Sequence, residues 1–214
     1  MKRVFAIVLS VIVLAVAFSG CGAAGKLRGT WQAEADISYV MQQILKETWP
    51  DSVYKVEDFQ VTLELTFQKK GICTIGLQEG SMQEALDTLQ LKMEQDFVDS
   101  LDERLTEMGR DVTIEELLKI TGVNLETLLK NFRTTFKEAA FDEALRDAMR
   151  FDGYFEPDEE KLYISATEEI EEDTFAFQYQ LEDGVLTMPM VYGKAPMAEE
   201  IPAIIAPLSF RKIN

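Results

Sequence analysis

Apolar and polar residues alternate without interruption over residues 59–67, and this is the clearest pattern in the chain. Successive side chains of a β-strand point to opposite faces, so the alternation predicts a strand with one buried face. Residues 69–71 then predict a turn, and residues 72–77 predict the returning strand. An earlier extended run over residues 29–36 is followed by a short helical pattern over residues 37–49.

The pattern changes to the helical period over residues 81–149. Ser81 and Glu84 have the spacing of a capping box at the start of a first helix. A short second helix is expected over residues 113–120, and Asn124 is expected to cap a third that continues to Leu145. The buried stripe of the first helix is predicted to consist of Met82, Leu86, Leu89, Met93, Phe97, Leu101, Leu105 and Met108.

Strand patterns return after residue 150. Residues 151–155 and 161–166 predict a hairpin, and apolar side chains alternate again over residues 175–181. Asp183-Gly184 is a strong hairpin signal that leads into a further strand. With a last strand at residues 208–213, the chain is expected to form about eight short strands. The predicted fold class is α+β, with an antiparallel barrel or half-barrel and three helices inserted between strands three and four.

The amino terminus has the pattern of a secretory signal peptide. Lys2 and Arg3 precede an apolar run over residues 4–18, which small residues and Cys21 follow. The apolar run is short for a membrane span, which needs about 20 residues. Residues 1–20 are therefore expected to be removed, and residues 22–28 are expected to be a short flexible tether.

The residues that end this run resemble the lipobox of bacterial lipoproteins. The sequence is Phe18-Ser19-Gly20-Cys21, with Phe where the motif prefers Leu. The resemblance implies that Cys21 is lipidated and becomes the first residue of the mature chain, with residues 21–28 as the lipidated tether. Two acyl chains are sufficient for stable anchoring. The expected location is the cell envelope, on the outer face of a bacterial cytoplasmic membrane.

Residues 29–31 have the sequence Gly-Thr-Trp, which resembles the Gly-x-Trp signature of lipocalins. The resemblance implies that Trp31 closes the base of a β-barrel and that Arg211 of the last strand covers it. The whole plan is similar to lipocalin-like lipoproteins of clostridial-type bacteria, down to the terminal Pro-Leu-Ser-Phe-Arg-Lys. It implies a lipocalin-like barrel core over residues 29–80 and 150–214 and a helical insertion over residues 81–149. It assigns no activity.

Composition narrows the classes of function. A net charge of −17 argues against nucleic acid, whose binding rests on Lys and Arg. The chain has no histidine, which removes the commonest general base and metal ligand. Cys73 lies in an apolar run and is expected to be a small buried side chain. We expect no cofactor, no metal site and no catalytic residues.

The candidate site is a set of aromatic side chains on the predicted strands. They either fill the barrel as plain core or line a cavity for one small apolar ligand. The apolar stripes of the helices either belong to the core or line a groove for a partner. The leading prediction is a lipid-anchored, non-enzymatic binding protein, and the alternative is a structural or protein-interaction lipoprotein with a solid barrel. The aromatic set consists of Trp31, Phe59, Phe67, Phe175, Phe177 and Tyr179.

Overall fold

The computed structural model describes residues 22–107, 114–122, 124–158, 161–169, 175–189 and 207–213. These residues divide into two compact units. The sheet unit takes the described residues up to Glu34, Leu63–Gly76, and those from Arg150 onward. The helical unit takes Ala35–Thr62 and Leu77–Met149, so it includes a segment that the sequence placed with the strands.

The described strands form one sheet in the order β6-β5-β4-β3-β2-β1-β9-β8-β7. Its two end strands, β6 and β7, follow each other in the chain and are separated by Tyr179 alone. The sheet therefore curls as an antiparallel half-barrel, and the predicted α+β class is confirmed. The strands are β1 Gly29–Asp36, β2 Gln60–Phe67, β3 Ile72–Leu77, β4 Phe151–Pro157, β5 Lys161–Ser165, β6 Phe175–Gln178, β7 Gln180–Glu182, β8 Val185–Pro189 and β9 Pro207–Lys212.

The predicted alternation is present in β2. Its inward side chains, Val61, Leu63, Leu65 and Phe67, are buried, while Gln60 at its start is exposed. The Asp183–Gly184 hairpin is also confirmed: both residues have positive φ, and β7 and β8 pair across them. The side-chain pattern and the turn residues therefore fix these strands locally.

Gly153 in β4 allows two neighbours to approach the backbone closely. It lies opposite Cys73 of β3. A Cβ atom at this position would collide with the Ser165 carbonyl oxygen of β5 and with the ring of Phe151. No other residue type fits there without moving the strand backbone.

Helices account for most of the insertion between β3 and β4. The sequence predicted three helices here, whereas four are described, because the third predicted helix breaks in two at Ala139–Ala140. Ala140 has φ of 50°, in the left-handed region, and the helix direction changes there. The helices are α1 Ala23–Leu27, α2 Ser38–Thr48, α3 Glu79–Glu107, α4 Ile114–Thr121, α5 Leu125–Glu138 and α6 Phe141–Met149.

Of the helix caps predicted at Asn124 and Ser81, the structure confirms the first and contradicts the second. The Asn124 side chain accepts a hydrogen bond from the Glu126 N–H at 2.8 Å, as expected of an N-cap. At the start of α3 the cap is Gln78, whose Oε1 accepts from the Ser81 N–H at 2.6 Å. The Ser81 hydroxyl instead accepts from the N–H of Thr62 at 2.8 Å. The capping box predicted at Ser81 is therefore wrong, because a strand residue takes the hydroxyl.

Replacing Ala140 with Gly is expected to stabilise the protein. Glycine adopts positive φ without a steric cost, so Ala140→Gly should raise the free energy of unfolding by about 0.5–1 kcal/mol. The matched control is Ala144→Gly inside α6, which should lower it by about 1 kcal/mol. Urea unfolding followed by circular dichroism measures both changes, and a loss of stability in both variants would contradict the break at Ala140.

Candidate functional site

Trp31 is the most constrained of the candidate site residues. Its side chain is 1% exposed, and its Nε1–H donates a hydrogen bond to the Leu27 carbonyl at 2.6 Å. The Lys212 ammonium lies 5.3 Å from the ring centroid, which is a cation–π distance. Trp31 therefore joins α1, β1 and β9 at one end of the sheet unit.

The residue that covers Trp31 is Lys212 and not Arg211. Trp31 is the cross-strand partner of Lys212, and Arg211 pairs with Gln32. Successive residues of a strand point to opposite faces, so the shift of one position places Arg211 on the other face of β9. The prediction for Arg211 is wrong, while a cation over the indole is present.

The remaining described candidates lie in different parts of the chain. Phe67 is 2% exposed and packs on Phe155 of β4, with ring centroids 4.6 Å apart. Phe59 is also buried, but it belongs to the helical unit. Tyr179 is half-buried, and its hydroxyl donates to the Asp158 carbonyl at 3.1 Å. Burial, with a smaller contribution from the Asp158 charge, raises the pKa of Tyr179.

Three predicted site residues fall partly or wholly outside the described part of the chain. The backbones of Phe175 and Phe177 lie in β6, opposite Ile164 and Leu162 of β5. Their side chains lie outside the described part. Cys21, the predicted lipidation site, also lies outside it.

An aromatic cluster in the helical unit was not among the predicted site residues. Trp49, just after α2, lies edge-on to Phe141 of α6 at 5.1 Å and to Phe136 of α5 at 6.1 Å. Phe132 of α5 stacks on Phe97 of α3 at 6.3 Å. Phe136 and Phe141 are buried, whereas the other three rings are only half-buried. We call these residues, Trp49, Phe97, Phe132, Phe136 and Phe141, the aromatic cluster.

An ion pair between a buried carboxylate and a partly exposed arginine joins α3 and α5, the helices that carry Phe97 and Phe132. Arg133 of α5 donates from Nη2 to Glu94 Oε2 at 2.8 Å and from Nε to Oε1 at 3.0 Å. Gln90 donates to the same carboxylate at 2.8 Å. Glu94 is 6% exposed, and the hydrogen bonds from Arg133 lower its pKa although burial acts in the opposite direction. The pair fixes how α3 and α5 pack.

The sequence contained part of the signal for this arrangement. Phe132 and Phe136 are one helical turn apart on α5, and Phe97 lies on the predicted stripe of α3. Trp49 comes just before a proline at the end of α2, a position that does not indicate contact with α6. The ion pair joins residues 39 positions apart, and no local pattern predicts that separation.

Other groups with chemical potential are few in the described part of the chain. Within it, no cluster of His, Cys, Asp or Glu could hold a metal ion, and no helix is long and apolar enough to cross a membrane. An open depression of about 290 Å³ lies on β7 and β8 and is lined by Gln180, Glu182, Asp183, Val185 and Thr187. Its lining is mostly exposed, and no buried polar group points into it.

Glu94→Gln is expected to weaken the fold at neutral pH and much less in acid. The pKa of a glutamate in the unfolded chain is about 4.3, and in the folded protein that of Glu94 is lower. The stability that the ionised carboxyl contributes is therefore present above about pH 4.3 and is lost as the pH falls through the pKa of the folded protein. The difference in melting temperature between the parent and Glu94→Gln should therefore shrink towards about pH 3. Glu84→Gln, an exposed change on the same helix, controls for net charge. An equal difference at both pH values would exclude the ionised pair as the source of stability.

Cys73 is expected to resist alkylation while the protein is folded. Burial, followed by the Asp152 charge, raises the pKa of its thiol to about 12. Only the thiolate reacts, so at pH 8 iodoacetamide should modify folded Cys73 at least about a hundredfold more slowly than the unfolded chain. Mass spectrometry with and without urea measures the ratio. Equal rates would show that Cys73 is accessible in the folded state.

Comparison of the chain with models of known protein families, with curated proteins and with solved structures found no match. What the chain does is accordingly inferred below from the contacts of its own residues.

Proposed function

We propose that this protein is a lipid-anchored protein of the bacterial cell envelope that works by binding a protein partner through the aromatic cluster of its helical unit. The anchor is the acylated Cys21, and the location is the outer face of the cytoplasmic membrane. The protein is not an enzyme, and its barrel is a packed scaffold. The single observation that carries the proposal is the cluster, whose three half-buried rings lie at the surface of the helical unit.

The packing of the sheet unit favours a surface over a lumen as the binding site. Trp31, Phe67 and Phe210 are each no more than 2% exposed, and so are Leu65 and Leu186. Phe67 contacts Phe155, so aromatic side chains fill space that a small ligand would need. This packing supports the alternative prediction, a structural or protein-interaction lipoprotein with a solid barrel.

The chemistry of the cluster suits a protein surface. Trp and Phe side chains that are partly buried in the free protein contribute large contact areas with little loss of conformational freedom, and they are frequent at the centres of interfaces. The Glu94–Arg133 pair joins α3 to α5, the helices that carry Phe97 and Phe132, without involving either ring. Large exposed apolar side chains elsewhere on the helical unit, such as Leu91 and Ile120, add to the apolar surface.

The proposal of binding rather than catalysis rests on the sequence. The chain has no histidine for general acid–base or metal chemistry. Cys73, a possible nucleophile in other settings, is buried, and its pKa is raised rather than lowered. The lipobox-like residues before Cys21 support the envelope location.

Photo-crosslinking in the producing cells tests the proposal. A benzophenone amino acid replaces Phe132 in the full-length lipoprotein, and the matched control carries it at Tyr39, an exposed aromatic residue of α2 outside the cluster. Irradiation should give a discrete protein adduct from position 132 at a yield several-fold above that from position 39. Thermal melts of both variants confirm that they fold.

Two outcomes would overturn the proposal. Equal or absent adducts at both positions would exclude the aromatic cluster as the interface. A small molecule that remains bound to the unmodified protein in native mass spectrometry, and leaves on denaturation, would move the binding site into the barrel.

A further inference from the structure

The segment that was expected to be a flexible tether is folded onto the sheet unit. Ala23–Leu27 forms α1, and the Gly25 N–H already donates to the Gly22 carbonyl at 2.8 Å. Leu27 is 0% exposed, and its carbonyl accepts the indole N–H of Trp31. The Lys212 ammonium donates to the Lys26 carbonyl at 3.4 Å. The chain is therefore attached to β1 and β9 within a few residues of Cys21.

This attachment removes most of the distance between the lipid and the protein. A free tether of residues 21–28 would reach up to about 28 Å, at roughly 3.5 Å per residue. With α1 docked, the free chain between Cys21 and Ala23 reaches at most about 7 Å. With Cys21 lipidated, so short a reach keeps the end of the sheet that carries α1 close to the bilayer.

The strand directions show which residues share that end. β1 starts there at Gly29, beside the end of β2, because the Thr66 hydroxyl donates to that of Thr30 at 3.1 Å. β9 ends there, since Lys212 pairs with Trp31. Because neighbouring strands are antiparallel, the turns between β2 and β3, between β4 and β5 and between β7 and β8 lie at the same end. We call this the anchor end, and it consists of α1, Arg28, the Lys69–Gly71 turn, Asp158, the Asp183-Gly184 turn and residues 211–213.

The charge of the anchor end differs from that of the chain. The whole chain has a net charge of −17, which an anionic membrane repels. At the anchor end the acidic residues are Asp158, which Glu159 and Glu160 follow in the sequence, together with Glu182 and Asp183, and they are balanced by basic ones. These basic residues are Lys26, Arg28, Lys69, Lys70, Arg211 and Lys212, all exposed.

We propose that the anchor end of the sheet unit rests directly on the membrane surface, so that the lipid fixes the orientation of this unit as well as its location. The inference rests on the proposed lipidation of Cys21 and adds the bilayer as the partner of one defined surface. Ile213, an apolar residue that is 45% exposed, lies at this end and is placed to contact the lipid interface. Because α1 is docked on the sheet, the lipid at Cys21 both attaches this unit to the membrane and sets its orientation.

Fluorescence quenching in vesicles tests the orientation. The full-length lipoprotein carries a single fluorophore at Lys70→Cys, in a turn of the anchor end, or at Glu168→Cys, an exposed position after β5 at the opposite end. Buried Cys73 is not expected to take the label. The vesicles contain phosphatidylcholine, phosphatidylglycerol and a nickel-chelating lipid that quenches near its headgroup. Since β4 spans about 23 Å at 3.3 Å per residue, quenching at position 70 should exceed that at position 168 by at least about threefold.

A spacer variant is the matched control. An insertion of about ten Gly and Ser residues after Gly22 leaves α1 intact but restores a reach of more than about 30 Å. It should reduce quenching at position 70 to the level at position 168, while circular dichroism stays unchanged.

The outcomes separate the two proposals. Intact mass spectrometry of the same preparation reports whether Cys21 carries a diacylglycerol. An unmodified Cys21 would overturn the proposed anchor and this inference with it. A lipidated protein with equal quenching at positions 70 and 168, or no response to the spacer, would overturn the orientation alone and leave the lipid anchor in place.

Discussion

The connection between β6 and β7 is the constraint on which the rest of the sheet unit depends. These strands end the sheet on opposite sides, yet only Tyr179 separates them in the chain. Gln178 and Gln180, which flank Tyr179, are at most about 7 Å apart, so the ends must come together and the sheet must curl. A curled sheet encloses its inward side chains, and β2 supplies them from Val61 to Phe67. Chain continuity thus explains why these inward side chains are enclosed by the sheet.

Local patterns predicted most of the sheet unit, and the exceptions depend on pairing register. The alternation in β2 and the Asp183–Gly184 hairpin were readable because neighbouring residues determine both. The cross-strand partner of Trp31 could not be predicted, because the choice between Arg211 and Lys212 depends on how β1 and β9 align. A slip of one residue exchanges the two faces of a strand, and the sequence of one strand alone does not encode it.

The helical unit was predicted less completely, because its main features join distant segments. The apolar period continues through Ala140, so nothing in the pattern marks the break there. After the break, the ring centroids of Phe141 and Phe136 are 5.0 Å apart. This contact helps to offset the free-energy cost of the left-handed backbone at Ala140. Glu94 is buried on α3, and Arg133 compensates its charge from another helix. The aromatic cluster was missed for the same reason, since Trp49, just after α2, contacts Phe141 of α6, which is distant in the sequence.

The docking of α1 on the sheet unit rests on one buried leucine and on the hydrogen bond from Trp31. Burial of a leucine contributes about 1.5–3 kcal/mol, and a hydrogen bond such as that of Trp31 to the Leu27 carbonyl adds about 0.5–1.5 kcal/mol. Trp31 therefore has two structural roles: it is buried at one end of the sheet unit, and its indole N–H holds α1 through the Leu27 carbonyl. With the proposed lipid on Cys21, the docking of α1 through Trp31 would also connect the sheet unit to the membrane.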